Sequence, residues 1–253
     1  ITTSRKMTPS EFVWADAPLS SVQAPATAAV CYTLFVLLLA RLKPSVETKP
    51  LQAVHNLILC GMSAAMALGT LREVVARSSS ESSVRWLFCE NPATQPTGAL
   101  WFWSYLYYLS KYYELLDTVL QLLKGRPPPH FGLHVYHHAF VLLMAWGWLE
   151  YVQTLQYIGL LFNTSVHVLM YYYYYCRVVG KDVWWKRYVT QFQIVQFATS
   201  LGCYVVTLYL IYSGAECAGT RALALNFVFN LTLLHSFVGV LNTGSKAKAA
   251  KKV

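Results

Sequence analysis

Long apolar stretches recur along this chain. A helix that spans a bilayer needs about 20 predominantly apolar residues, and seven stretches come close to that length or exceed it. They cover residues 24–40, 51–71, 99–123, 131–149, 154–175, 186–212 and 221–242. Segments rich in Pro, Gly or Ser separate them, as is typical of loops. The pattern predicts an all-α polytopic membrane protein with seven transmembrane helices in a single domain, residues 1–253.

Composition supports a membrane environment. Charged residues make up 12% of the chain and apolar residues 56%, whereas soluble domains carry about 25% charged residues. The net charge of +9 could indicate nucleic-acid binding, but 13 of the 20 Lys and Arg residues fall on the side of the C-terminal tail and 6 on the other side. The positive-inside rule therefore predicts a cytoplasmic C-terminus, a luminal N-terminus and no nucleic-acid partner.

Two cysteines lie in loops on the predicted luminal side. Cys89 lies between the second and third spans, and Cys217 lies between the sixth and seventh. An oxidising lumen would allow them to form a disulfide. The alternative is a pair of unpaired loop thiols.

The third span contains ionisable residues in the segment KYYELLDT. Lys111, Glu114 and Thr118 share one helical face, and Asp117 lies at its edge. Charged side chains inside a membrane are costly, so by default they indicate a functional site. The alternative for Lys111 and Glu114 is a structural ion pair that holds helices in register.

The fourth span opens with the segment HVYHH. His134, His137 and His138 fall within an arc of roughly 100° on one helical face. Three imidazoles on one face are not expected to be packing residues, whereas the isolated His55 and His235 are interpreted as satisfied core histidines.

The fifth and sixth spans add further polar groups. Asn163, His167 and Tyr174 follow a helical stripe in the fifth span, and its tyrosines, Tyr171 among them, either donate hydrogen bonds or form an interfacial aromatic belt. In the sixth span Gln193 and Gln196 continue a polar i, i+3 pattern, which predicts a polar-lined interior.

Two chemistries fit these histidines, and a third class of protein fits the spans. A zinc hydrolase acting on a lipid amide needs three protein ligands, which His134, His138 and His167 could supply. A neutral imidazole can instead act as a nucleophile on a thioester, with neighbouring histidines as bases. A seven-span receptor or transporter would use a polar interior for recognition, but that function gives no reason for three histidines on one face.

The four polar segments together resemble the ELO family of very-long-chain fatty acid elongases. The resemblance rests on KYYELLDT at 111–118, HVYHH at 134–138, NTSVHVLMYYYY at 163–174 and TQFQIVQF at 190–197, in that order. It implies a barrel of the second to seventh spans around a narrow acyl tunnel, with the first span outside. It also implies an enzyme, a 3-oxoacyl-CoA synthase that condenses a long-chain acyl-CoA with malonyl-CoA and releases CO2 and CoA.

The resemblance also assigns roles to residues. His137 would be the nucleophile that accepts the acyl chain, His134 and His138 would orient it or move protons, and His167 would face it. The remaining catalytic candidates are Asn163, Asp117, Glu114 and Lys111. The candidate substrate-binding residues are Gln193, Gln196, Tyr171 and Tyr174, with the basic residues Lys124, Arg126, Lys181, Lys186 and Arg187 for the CoA phosphates.

The resemblance implies a location and partners as well. The location would be the endoplasmic reticulum membrane. No bound cofactor or metal is implied, because reduction would belong to separate enzymes. The expected partners are the lipid bilayer, a ketoacyl-CoA reductase, a hydroxyacyl-CoA dehydratase and an enoyl-CoA reductase, and the chain could also form a homodimer.

Overall fold

The computed structural model describes the backbone of residues 8–250 and the side chains of residues 8–242. Lys246, Lys248, Lys251 and Lys252, which contribute to the predicted sidedness, lie outside the described side chains. Eight α-helices occur in the described backbone: α1 Gln23–Leu42, α2 Lys49–Ser80, α3 Ala99–Glu114, α4 Leu116–Leu123, α5 Phe131–Glu150, α6 Gln156–Val178, α7 Lys186–Tyr212 and α8 Thr220–Ala250. Extended pairing in these residues is limited to one isolated bridge, Val13 with Thr97.

Helices occupy all seven predicted stretches, so the all-α prediction is confirmed. The third stretch is the one that differs, because it is divided into α3 and α4. At Leu115 the backbone N–H bonds to the carbonyl of Tyr112, three residues earlier, at 3.3 Å, which is the tighter pattern of a 3₁₀ turn. Leu115 keeps right-handed helical angles (φ −58°, ψ −27°), and Lys111, Glu114 and Thr118 are all buried, as the predicted shared face requires.

Four of the helices are long and apolar enough to cross a membrane, namely α1, α2, α7 and α8. Their surfaces carry exposed side chains such as Leu34, Leu68 and Val205, and a large exposed apolar surface is typical of a lipid-facing helix. Of the other helices, α3 and α4 are shorter, with 16 and 8 residues, and α5 and α6 contain more Tyr, Trp and His, which lower their mean hydropathy. Many side chains of these four helices are buried, including Tyr108 and Lys111 in α3. The chain is therefore a multi-pass membrane protein.

Helix contacts follow a closed order. Helix α2 packs on α3 and α6, α6 packs on α7, α7 on α8, α8 on α5, and α5 on α3. Helix α1 lies against α4 and α5. The polar segments of α3, α5 and α6 lie close together inside this bundle.

The two ends of this bundle differ in content. The end at which α5 begins carries His134, His137 and His138, and it is called the histidine end below. The opposite end, at which α5 finishes, carries a disulfide between Cys89 and Cys217, and it is called the disulfide end. The disulfide joins the loop after α2 to the loop before α8.

Candidate active site

A buried ion pair lies at the centre of the site. Lys111 Nζ is 2.7 Å from Glu114 Oε1, and each side chain is 1% exposed. Ser110 Oγ donates to the same carboxylate oxygen at 3.2 Å. The second oxygen, Glu114 Oε2, is buried and has no hydrogen-bond partner among the described residues. The carboxylate therefore keeps one acceptor free inside the protein.

Helix α6 brings two more polar groups to this pair. Asn163 Oδ1 accepts hydrogen bonds from Lys111 Nζ at 3.1 Å and from Tyr107 OH at 3.0 Å. One turn further along α6, His167 Nδ1 lies 3.6 Å from Glu114 Oε1. The lysine ammonium also lies 4.1 Å from the centre of the Tyr107 ring, a favourable cation–π position. One face of α3 and one face of α6 therefore form a single buried polar cluster.

Beyond the division at Leu115, Asp117 forms a second polar group. Its Oδ2 accepts a hydrogen bond from Tyr171 OH at 2.8 Å, and its Oδ1 lies 2.8 Å from His55 Nε2. The interpretation of His55 as a satisfied core histidine is confirmed, because its ring is 3% exposed and is bonded to Asp117; the same interpretation of His235 is wrong, since that residue is exposed. No local spacing could have identified Asp117 as the partner of His55, since the two residues lie 62 positions apart in the sequence.

The three histidines of α5 lie close to one another. Their ring centres are separated by 5.4 Å for His134 and His138 and by 5.3 Å for His137 and His138. The His137 ring stacks on Phe229 of α8 at 6.2 Å. In all three rings Nδ1 is buried without a hydrogen-bond partner in the described structure. Buried polar atoms are usually paired, so these unpaired nitrogens make the three histidines candidates for contact with a ligand.

A bound metal ion would need several His, Cys, Asp or Glu ligands close together. Within residues 8–242, no three His, Cys, Asp or Glu side chains are grouped so that they could hold a metal. His134, His138 and His167 therefore do not converge as a zinc site in this arrangement.

A narrow cavity runs from His137 toward the disulfide end. The volume in which a water-sized sphere fits is about 50 Å³, so the cavity is tight in this structure. The polar groups of its wall come from Asn163, Gln196, Ser200, Asn226 and Asn230, besides His137. The remaining wall is mainly apolar, and its apolar residues include Val141, Met144, Ala145, Leu155, Ile158, Phe162, Phe197, Phe229 and Leu233. Such a cavity suits an extended apolar chain with a polar group at the His137 end.

Trp148 lines the far part of this cavity and is held on three sides. Its ring stacks on Tyr107 with centres 5.2 Å apart and planes 4° apart. A Cβ added to Gly159 would lie 3.1 Å from Cη2 of Trp148, so the indole lies directly on the α6 backbone. In the amide orientation that satisfies its neighbours, Gln153 accepts hydrogen bonds from Trp148 Nε1 at 3.2 Å and from Asn226 Nδ2 at 3.0 Å.

Some candidate residues lie away from the cavity. Gln193 Nε2 donates to Met170 Sδ at 3.5 Å, and Gln193 is not among the described residues that line the cavity, whereas Gln196 is. Tyr174 is 37% exposed, while Tyr171 is buried and bonded to Asp117. The structure thus brings Gln196 and Tyr171 to the site but not Gln193 and Tyr174.

The candidate CoA-binding side chains are exposed at the histidine end. They follow α4 or flank the turn between α6 and α7: Lys124, Arg126, Lys181, Lys186 and Arg187. The neighbouring acidic residue Asp182 is paired with Arg177 at 3.0 Å. The positive charge at this end is therefore available to an anionic ligand.

These features define a multi-pass membrane protein with a buried, histidine-rich candidate active site at one end of an apolar cavity. The sequence profile of the ELO family, described as the GNS1/SUR4 family, matches residues 17–251. The chain belongs to this family.

Similar proteins carry names from fatty acid elongation. The chain is 37% identical over 190 residues to a putative fatty acid elongase of Dictyostelium discoideum, covering 74% of this chain and 63% of that protein. It is 34% identical over 203 residues to fatty acid elongase sre1 of the same organism, covering 79% and 74%. It is 32% identical over 166 residues to very long chain fatty acid elongase 4 of Mus musculus, covering 61% and 50%. The chain thus spans less than two thirds of the first and third of these relatives.

Proposed function

We propose that this protein catalyses the condensing step of fatty acid elongation. In this reaction a long-chain acyl-CoA and malonyl-CoA give a 3-oxoacyl-CoA two carbons longer, CO2 and free CoA. The observation that carries the proposal is the position of His137. Its ring, with Nδ1 unpaired, lies in the wall of a narrow apolar cavity that also includes Asn163 of the Lys111–Glu114 cluster.

In the first half-reaction, the unprotonated ring nitrogen of His137 attacks the thioester carbonyl. A carbon–nitrogen bond forms and the carbon–sulfur bond breaks, which leaves an acyl-imidazole and releases CoA. The ring loses its other proton, and the CoA thiolate gains one, with His134 and His138 moving the proton between them. Such covalent catalysis divides one difficult step into two easier ones.

In the second half-reaction, malonyl-CoA loses CO2 and its enolate attacks the acyl carbonyl. A carbon–carbon bond forms, the carbon–nitrogen bond breaks, and the departing imidazole takes up one proton to become neutral His137 again. The Lys111 ammonium would stabilise the negative charge that develops on carbonyl oxygens, as preorganised charges do in buried sites. Glu114 and Asn163 would hold that ammonium in place.

The fold suggests where the substrates bind. The six helical rods α2, α3 with α4, α5, α6, α7 and α8 would form a barrel around the acyl chain, and seven spans would place the histidine end in the cytoplasm. The acyl chain would extend from His137 toward Trp148. The CoA phosphates would contact the five exposed basic residues at the histidine end, and Gln196 and Tyr171 would complete the substrate site.

The proposal extends to the setting of the reaction. The endoplasmic reticulum membrane would contain the protein together with a ketoacyl-CoA reductase, a hydroxyacyl-CoA dehydratase and an enoyl-CoA reductase, and a homodimer would be compatible with this role. No observation favours the zinc-dependent amide hydrolase over this reaction. Measurement of zinc in purified protein, and of activity after chelation, tests that alternative directly.

Two measurements test the proposed reaction. Microsomes that contain the protein should incorporate labelled malonyl-CoA into longer acyl chains, and His137→Ala should abolish incorporation while the protein remains in the membrane. His235→Ala, at an exposed position on α8, should retain full activity. After incubation with acyl-CoA alone, mass spectrometry should find an acyl group on His137. A wild-type protein without incorporation would contradict the function, and an active His137→Ala variant would contradict the nucleophile.

A further inference from the structure

His55 of α2 is a buried polar residue that the proposed mechanism does not use. It is 3% exposed, and its ring centre lies 4.8 Å from that of Tyr113. Its Nε2 lies 2.8 Å from Asp117 Oδ1, and its Nδ1 is buried without a partner in the described structure. Since a carboxylate only accepts hydrogen bonds when ionised, Nε2 is the donor of this contact.

Asp117 depends on this donor because of where it lies. The residue lies in the first turn of α4, and its carboxylate points to two other helices. It accepts a hydrogen bond from Tyr171 OH of α6 at 2.8 Å and one from His55 Nε2 of α2. A buried carboxylate that loses a donor pays a desolvation penalty, so Asp117 would turn toward other partners without His55.

The contact continues from Asp117 to the catalytic histidines. The Tyr171 ring meets the His167 ring edge-on at 5.3 Å with planes 89° apart, and His167 Nδ1 lies beside Glu114. Tyr171 follows His167 by one turn of α6, and its hydroxyl is bonded to Asp117, so Asp117 helps to fix the ring against which His167 packs. The series of contacts therefore leads from α2 to the ion pair at the centre of the site.

We propose that His55 is a positioning residue for the condensation reaction, which acts through Asp117 and Tyr171 on the orientation of His167. This inference rests on the proposed function. It requires of His55 only one N–H donor at the Nε2 position. Glutamine can supply such a donor through its side-chain amide, whereas phenylalanine preserves an aromatic ring and supplies none.

The test compares His55→Phe with His55→Gln in malonyl-CoA incorporation. Loss of a hydrogen bond to a charged group is expected to lower kcat in His55→Phe by about 10- to 100-fold, while KM for acyl-CoA stays near the wild-type value. His55→Gln should restore most of kcat. The double variant His55→Phe with Tyr171→Phe should lose less than the product of the two single losses, because both act through Asp117.

A matched control lies one turn away on α2. Gln52 is buried and donates to Thr48 Oγ1 at 3.1 Å and to the Leu120 carbonyl at 3.2 Å, so Gln52→Leu also removes a buried donor but does not touch Asp117. This variant should lose thermal stability without a comparable loss of kcat. The inference would be overturned, with the proposed function intact, by any of three results. These are an unchanged kcat in His55→Phe, an equal loss of kcat in His55→Gln and His55→Phe, or a loss of the same size in Gln52→Leu. Absence of incorporation by the wild-type protein would overturn the proposed function and the inference with it.

Discussion

The two ends of the bundle treat buried polar groups differently. At the disulfide end, both oxygens of Glu90 are paired with Arg77, at 2.6 Å and 2.8 Å, and the Glu90 N–H donates to Thr154 Oγ1 at 3.1 Å. At the histidine end, Glu114 Oε2 and the Nδ1 atoms of the α5 histidines have no partner in the described structure.

This difference separates polar groups that stabilise the fold from polar groups that are candidates for catalysis or substrate binding. A polar network in which every group is satisfied makes a structure rigid, whereas an unpaired buried group is costly. At the disulfide end the buried ionic groups are paired and a disulfide links two loops, while the unpaired buried atoms there are neutral ones such as Trp86 Nε1, Gln156 Nε2 and Tyr157 OH. The ionic groups of this end therefore hold the bundle together. The unpaired groups at the histidine end are interpreted as partners for substrate atoms. Their burial without a partner is unfavourable for stability and is explained by this function.

The largest expected effect comes from a matched pair of substitutions, Arg77→Met and Lys111→Met. Each removes the cation from a buried carboxylate, which should destabilise the protein by about 3–5 kcal/mol. Thermal unfolding in detergent measures that loss. Activity per folded molecule, measured well below the unfolding temperature, should stay near wild type in Arg77→Met and fall at least about tenfold, or 1.4 kcal/mol in the barrier, in Lys111→Met. Equal specific activities in the two variants would contradict the assignment of a structural role to Arg77 and a catalytic role to Lys111.

A somewhat smaller effect is expected from the disulfide. The double variant Cys89→Ser with Cys217→Ser opens a link across 128 residues, and such losses typically cost about 2–4 kcal/mol. Wild-type protein in reductant should unfold at the same temperature as the double variant, and both should remain active while folded. Cys31→Ser, at an exposed free cysteine, serves as the control. A loss of specific activity below the unfolding temperature would show that the disulfide end takes part in the chemistry.

Sequence patterns predict some of this arrangement and not the rest. Apolar length identifies all seven helical stretches, and helical spacing brings His134, His137 and His138 together, because both depend on local geometry. The sequence has no Pro or Gly beside Leu115, so it gives no sign that the helix is divided there.

Other features depend on contacts between distant helices. The contact of His55 with Asp117 requires the packing of α2 near α4, and the distance of Gln193 from the cavity depends on how α7 is rotated. Spacing along one helix contains neither piece of information.

The smallest expected effect concerns Trp148, which connects the disulfide end with the proposed acyl cavity. Its N–H is bonded to Gln153 at the disulfide end, while its ring lines the proposed acyl cavity. Gly159→Ala would place a Cβ 3.1 Å from the indole and push the ring toward the cavity. Overpacking of this kind costs about 1–3 kcal/mol. We expect this cost to weaken the binding of the longest acyl chains most, so the products should become shorter. Trp148→Leu should lengthen them.

Product chain lengths from a mixture of saturated acyl-CoA substrates measure this effect. Gly202→Ala on α7 is the matched control, because a Cβ there meets nothing within 4 Å. It should leave the product distribution unchanged. If Gly159→Ala and Trp148→Leu both gave wild-type products with lowered stability, Trp148 would belong to the framework alone. Opposite shifts in product length would instead show that the rigid disulfide end sets the length of the chain that the histidine end extends.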